Sequence, residues 1–154
     1  SSPTFSPDGK TVAAVWGKIM SWDVSTGEVK NLNSNSGGFD AIKFSEDGSL
    51  LAAIGHDDLN NITVSIWNVR TEKLLTEMLI EDIVELAFAN NQTLISVGDD
   101  GEVTFRQINS GAITKSFKTN VKSQSTDLGR IPNFTFSPNG KFLATLNENQ
   151  TLQI

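Results

Sequence analysis

The sequence predicts an all-β fold made of four-stranded antiparallel blades, as in a β-propeller, and three observations predict it. A Phe–turn–apolar pattern comes round four times in 154 residues: Phe5-Ser6-Pro7-Asp8-Gly9-Lys10, Phe44-Ser45-Glu46-Asp47-Gly48-Ser49, the worn Phe88-Ala89-Asn90-Asn91-Gln92-Thr93, and Phe136-Ser137-Pro138-Asn139-Gly140-Lys141. The Phe-to-Phe spacings are 39, 44 and 48 residues, and a period near forty built from strands and turns marks a propeller or similar array. Hairpin signals separate short apolar runs throughout, and no stretch carries convincing helical periodicity.

In the first repeat, Asp8-Gly9 is a turn and Thr11–Trp16 and Ile19–Val24 are strands, joined by a hairpin shortened to about Gly17-Lys18. Ser25-Thr26-Gly27 turns the chain into a last strand, Glu28–Leu32. The second repeat places strands at about 39–44, 50–54, 62–69 and 73–79, with a longer second hairpin from Gly55 to Asn61. The third is the clearest. Ile83 to Phe88 alternates, Asn90-Asn91-Gln92 turns, and Leu94-Ile95-Ser96-Val97 is an apolar run of buried-strand type. Asp99-Asp100-Gly101 is a hairpin signal, because Asp-Gly accepts the positive φ that tight turns demand. Val103 to Ile108 alternates again, Asn109-Ser110-Gly111 turns, and Ala112 to Phe117 makes a fourth strand. The last repeat supplies Pro132–Phe136, Phe142–Leu146 and Thr151–Ile154. Residues 77–88 show partial helical spacing, but the register of the other repeats makes them a strand end, a turn and a strand start. The longest polar segment, Thr119 to Arg130, connects repeats three and four; long connections are often functional or disordered.

Bulk properties narrow the function. Hydrophobic content of 38% and charged content of 19% suit an ordinary globular chain. The net charge of −6 argues against general nucleic-acid binding, which needs clustered Lys and Arg, and against anionic membrane surfaces. With no cysteine, disulfides, thiol catalysis and thiolate metal sites are excluded, while the compartment stays open. No apolar run is long enough to span a bilayer as a helix.

Trp22-Asp23-Val24-Ser25-Thr26-Gly27 and its softened copy Trp67-Asn68-Val69-Arg70-Thr71-Glu72 follow the two hairpins in register. Arg106-Gln107 takes that place in the third repeat, and Leu152-Gln153-Ile154 ends one residue short of it in the fourth. In this arrangement the chain resembles the WD-repeat β-propeller family over almost its whole length. The resemblance implies a blade network of a His before the first strand, a Ser or Thr in the second, an Asp in the second hairpin, and the Trp. No repeat has all four. The one His, His56, lies in a second hairpin; Ala14 and Ala53 stand where Ser or Thr is usual, and Ser96 and Thr145 retain it. Asp99 or Asp100 offers the Asp in a repeat without the Trp. Blades held mainly by apolar packing and sheet hydrogen bonds are therefore expected.

The resemblance places blade 1 at about 1–32, blade 2 at about 39–79, blade 3 at about 83–117 and an incomplete blade 4 at about 131–154. Propellers use about 4–8 blades, so this set reads as an incomplete ring. It is expected to be a segment of a larger propeller or half of a ring closed by self-association. The lack of an initiating Met and the end at Ile154 favour the segment.

No catalytic constellation stands out. A Ser-His-Asp triad would hinge on His56, whose sequence neighbours Asp57 and Asp58 make an acid–base or metal role conceivable; an exposed polar loop is the simpler account. The acidic pairs lack the alternating oxygen spacing of a calcium loop, so solvated turns explain them better. Trp16 sits at a strand end beside Gly17 and is either an interface anchor or a rim residue packed on a neighbouring blade. Lys115, Lys118, Lys122 and Arg130 form the one basic stretch, suited to an acidic partner or to plain solvation.

The function that follows is a non-catalytic scaffold that presents loops to protein or peptide partners, with no cofactor and no metal. The partner-binding candidates are Trp16, His56, Asp57, Asp58, Asp99, Asp100, Lys118, Lys122 and Arg130. The alternatives are a propeller-type hydrolase or lactonase with a site at the channel mouth, for which the supply of His and convergent carboxylates is poor, and purely structural blades whose binding face lies in further blades.

Overall fold

The computed structural model describes residues 3–34, 37–119, 124–126, 129–131, 134–137, 139–146 and 152–153. Every regular element among them is a β-strand. The chain divides into two compact units, Ser1–Glu81 and Asp82–Ile154.

The first unit holds two antiparallel meanders. Strands β1 (Thr4–Phe5), β2 (Thr11–Trp16), β3 (Lys18–Asp23) and β4 (Val29–Leu32) form one four-stranded sheet in sequence order. Strands β5 (Gly38–Phe44), β6 (Leu50–His56), β7 (Ile62–Asn68) and β8 (Leu74–Leu79) form the next. The second unit repeats the plan with β9 (Glu85–Asn90), β10 (Thr93–Val97), β11 (Glu102–Gln107) and β12 (Ile113–Lys118). A two-stranded hairpin of β13 (Gln124–Thr126) and β14 (Gly129–Ile131) follows. A three-stranded sheet of β15 (Phe134–Phe136), β16 (Leu143–Leu146) and β17 (Leu152–Gln153) completes the unit. The first repeat thus gains a short leading strand, β1, and the connection read as a polar segment contains the β13–β14 hairpin.

The recurring Phe-Ser-x-Asp-Gly has a local physical cause. The Ser6 hydroxyl donates to Asp8 Oδ1 at 2.7 Å and accepts the Thr11 N–H at 2.9 Å, while Asp8 Oδ1 also accepts the Lys10 N–H at 3.0 Å. Gly9 takes φ of 69°, where a Cβ would be strained. The same closure recurs at Ser45 and Asp47, and again at Ser137 with Asn139 in place of Asp. Ser6 and Ser45 are buried, so these bonds also satisfy hydroxyls removed from water. In the third repeat Ala89 replaces the Ser. That turn relies on Asn90 Oδ1 accepting from Gln92 N–H at 2.8 Å, and the register slips between Thr93 and Leu94.

The Asp of Trp22-Asp23 closes the next turn. Its Oδ1 accepts from the Ser25 hydroxyl at 2.6 Å, the Ser25 N–H at 2.8 Å and the Thr26 N–H at 2.9 Å. These bonds, the Ser25 hydroxyl foremost, hold the carboxyl down at about 2. Asn68 does the same work for Thr71, whose N–H it accepts at 3.0 Å.

Apolar burial joins the two sheets of the first unit. Ala13, Ile19 and Leu32 from the first sheet cluster with Leu51, Ala53, Trp67 and Val69 from the second. Phe39 meets the Trp67 ring edge-on, with centroids 5.9 Å apart. The Trp67 indole N–H donates to the carbonyl of Asn33 at 2.9 Å. A backbone carbonyl therefore satisfies the buried indole N–H. In the second unit Ile95, Val97 and Val103 pack with Phe134. There Ser96 and Thr104, both buried, share a hydroxyl–hydroxyl bond of 2.7 Å. Polar links thus stand beside the apolar packing and sheet bonds among the described residues. Arg106, opposite Leu94 in the register that puts Trp67 opposite Leu51, keeps a buried Nε with no hydrogen-bond partner.

Candidate functional site

In an antiparallel meander the hairpin between the second and third strands lies at the same end as the start of the first strand and the end of the fourth. In the first unit, Leu32 at the end of β4 pairs with Ile19, beside the tip Trp16-Gly17-Lys18. Gly38 at the start of β5 pairs with His56, at the base of the Asp57–Asn61 tip. The short link 33–37 joins these two ends, so both hairpins flank it.

Each tip displays one large apolar side chain. Trp16 is 87% exposed and pairs across the turn with Lys18, with Gly17 at φ of 68° allowing the reversal. Leu59 is 83% exposed. Leu59 was not singled out by the sequence reasoning; the signal was a lone apolar residue inside the polar run Asp57-Asp58-Leu59-Asn60-Asn61.

The second tip is internally braced. Asp57 Oδ1 accepts from the N–H groups of Leu59 and Asn61 at 2.9 and 2.8 Å, and Oδ2 accepts from Asn61 Nδ2 at 2.9 Å. The Asn61 side-chain amide is the first cause that holds the Asp57 carboxyl below its ordinary range. Asn60, at φ of 65°, takes the left-handed position of the turn. Asp57 is thus spent on the hairpin, and Leu59 projects from a fixed frame.

The His56 Nδ1 lies 3.1 Å from Asp40 Oδ2, across the strand pair, and the same ring also acts electrostatically on the Asp57 carboxyl. Asp40 reaches His56 because Phe39 pairs with Gly55 and Ala41 with Ile54, which leaves Asp40 as the extra residue of a β-bulge. Gly55 is required there: a Cβ would strike the Gly38 carbonyl and the Phe39 ring. The Gly37 N–H donates to the His56 carbonyl at 2.8 Å, tying the link to the hairpin. Asp58 is exposed beside Gly37, whose Cβ position lies 3.5 Å from Asp58 Oδ1.

The second unit carries the other candidates. Asp100 Oδ1 accepts the Glu102 N–H at 2.9 Å, and its Oδ2 lies 2.8 Å from Lys118 Nζ. This hydrogen bond to Asp100 raises the Lys118 pKa. The two candidates are thus partners of each other on the surface. The Asp99 N–H donates to Asp82 Oδ2 at 2.6 Å, which pins the turn. The backbone of Arg130 lies in β14, and Lys122 lies outside the described residues. Among the described residues no group of three or more His, Asp or Glu is placed to hold a metal ion.

No family model matches the chain. Two curated proteins of Xenopus laevis, actin-related protein 2/3 complex subunits 1A-B and 1A-A, are each 26% identical over 147 residues, covering 95% of this chain. The chain spans 39% of the length of these relatives. A chain of the crystal structure of the mitotic checkpoint complex superposes with a TM-score of 0.68 at 17% identity, over 93% of this chain and 43% of that one. The fold is that of propeller blades, and the sequence and structural matches together support a WD-repeat β-propeller.

Proposed function

We propose that this chain is a non-catalytic protein–protein interaction scaffold and a segment of a larger WD-repeat propeller. One observation carries the reading: Trp16 and Leu59, 87% and 83% exposed, stand on the tips of two hairpins at one end of the first unit, the second of them braced by Asp57. Exposed aromatic anchors on rigid frames bind at low entropic cost, because little freedom remains to be lost. His56, Asp57 and Asp58 supply a polar rim to that end, and Asp99, Asp100, Lys118, Lys122 and Arg130 remain further contact candidates. The names of the relatives, subunits of a protein complex, support protein partners. The net charge of −6 favours protein over nucleic acid.

The test replaces Trp16 and Leu59 by Ala, singly, in the intact protein and compares co-purifying partners quantitatively. A hot-spot role costs about 2 kcal/mol or more, about thirty-fold in affinity, with the melting temperature unchanged. Retention of every partner at wild-type level by both variants rejects the reading.

A further inference from the structure

The end of the first unit that carries the two hairpin tips has a third exposed apolar side chain. Thr63 pairs with Leu79, and the Ile80 N–H donates to the Ile62 carbonyl at 3.0 Å. Ile62 pairs with His56, so the end of β8 comes up beside the base of the Leu59 hairpin. Leu79 is 65% exposed there. Leu59 and Leu79 thus stand on one sheet end, with Trp16 on the neighbouring tip.

Carboxylates surround these side chains. Asp40, Asp57, Asp58 and Glu81 all lie at this end, and Lys18 is the one Lys or Arg there among the described residues. Asp57 is held by its own hairpin and Asp40 by His56. Asp58 and Glu81 are exposed and enter no hydrogen bond or ion pair with a described residue. The opposite end of the unit differs, because its cations lie close to its acids: Lys10 is 3.9 Å from Asp8 and Lys30 is 3.5 Å from Glu72. A second copy of the chain fits the tip end poorly, since it would bring a net charge of −6 and the same four carboxylates.

We infer that this end takes a cationic segment of a protein partner, one that carries Arg or Lys beside apolar side chains. The apolar side chains cover Leu59 and Leu79, and the guanidinium or ammonium groups lie against Asp58 and Glu81. A cation also gains from the face of the open Trp16 indole. Apolar anchors at the centre supply affinity, and charges at the rim supply encounter rate and selectivity. The inference rests on the scaffold reading above and adds the chemistry of the partner.

The probes are three short labelled peptides that alternate Leu with Arg, with Gln or with Glu, titrated into the full chain by fluorescence anisotropy. The Arg peptide is expected to bind about ten-fold more tightly than the Gln peptide at low salt and to lose most of that advantage at high salt. Asp58→Asn with Glu81→Gln leaves the Asp57 brace and the Asp40–His56 pair intact; it is expected to cost the Arg peptide about five-fold and to flatten its salt dependence. Leu79→Ala weakens the Arg and Gln peptides alike. Glu28→Gln with Glu46→Gln removes the same charge from the opposite end and is expected to change nothing. Equal binding of the Arg and Gln peptides overturns the inference, and so does an equal loss from the Glu28 and Glu46 pair, which would reduce the effect to general attraction. Self-association of the chain that Leu79→Ala abolishes also overturns it, because the apolar side chains would then belong to a second copy. Natural partners lost on Trp16→Ala or Leu59→Ala, with no preference for the Arg peptide, would keep the scaffold reading and reject the cationic partner alone.

Discussion

The indole N–H of Trp67 reaches the backbone carbonyl of Asn33, 34 residues earlier, at 2.9 Å. Trp67 is fully buried and meets Phe39 edge-on, so one side chain fastens the second sheet both to its own first strand and to the link that leads into it. Trp67→Phe keeps most of the ring and loses the bond, at an expected cost of about 1 kcal/mol. Trp67→Ala also opens a cavity and costs about 3–5 kcal/mol. Urea melts of both variants check this; a Trp67→Phe variant as stable as the parent would mean that the hydrogen bond contributes nothing.

Gly55 lies under Phe39 at the bulge that turns Asp40 toward His56. Gly55→Ala drives a methyl into the Gly38 carbonyl and the Phe39 ring, both within one strand pair. The expected loss is about 1–3 kcal/mol from overpacking. The amide signals of Phe39 and Asp40 should shift in the same variant. A variant as stable as the parent would mean that the bulge relaxes freely.

The buried Ser96–Thr104 hydroxyl pair allows a cleaner energetic test. Ser96→Ala strands the Thr104 hydroxyl and costs about 1–3 kcal/mol, whereas Ser96→Ala with Thr104→Val removes both polar groups and returns close to the parent. A double variant at least as unstable as the sum of the singles would contradict this account.

Asp23 sets an acid limit. Its carboxyl sits at about 2 in the folded chain, held by the Ser25 hydroxyl and the backbone of Ser25 and Thr26, against about 3.9 when unfolded. A depressed folded value stabilises above the unfolded value, and that contribution disappears as pH falls from about 4 through about 2. Asp23→Asn removes the titration. The difference in melting temperature between parent and variant is therefore expected to be constant above about pH 4 and to shrink below it. A difference independent of pH across that window would assign the acid sensitivity to another group.

Much of this chain was legible because its punctuation is local. The Ser6–Asp8–Gly9 turn is closed by atoms within a few residues of each other, so Phe-Ser-x-Asp-Gly can be read without knowing the rest of the fold. The Asp23 turn is of the same kind. Where the local chemistry weakens, legibility weakens with it. The β1 strand is too short for a period to show, and the hairpin from Gln124 to Ile131 has polar strands that no apolar alternation announces.

Trp16, His56, Asp57 and Asp58 fall at one end of the first unit because strand order alone puts second hairpins and strand entrances together. Leu59 was passed over because one apolar residue in a polar turn has no periodicity to mark it.

The sequence by itself determined most of the strands, the turns between them and the antiparallel order, since each depends on side chains near in the chain. The tertiary structure alone decided that His56 meets Asp40 and that Trp67 finds the Asn33 carbonyl. It alone decided that the cross-strand row Phe44–Leu51–Trp67–Leu74 of the second sheet is covered while the row Phe5–Val12–Trp22–Val29 of the first is open. Those outcomes depend on cross-strand register, on a one-residue bulge and on which face meets a neighbour. A one-residue shift of register turns every side chain of a strand to the other face, so a single bulge decides which side chains meet.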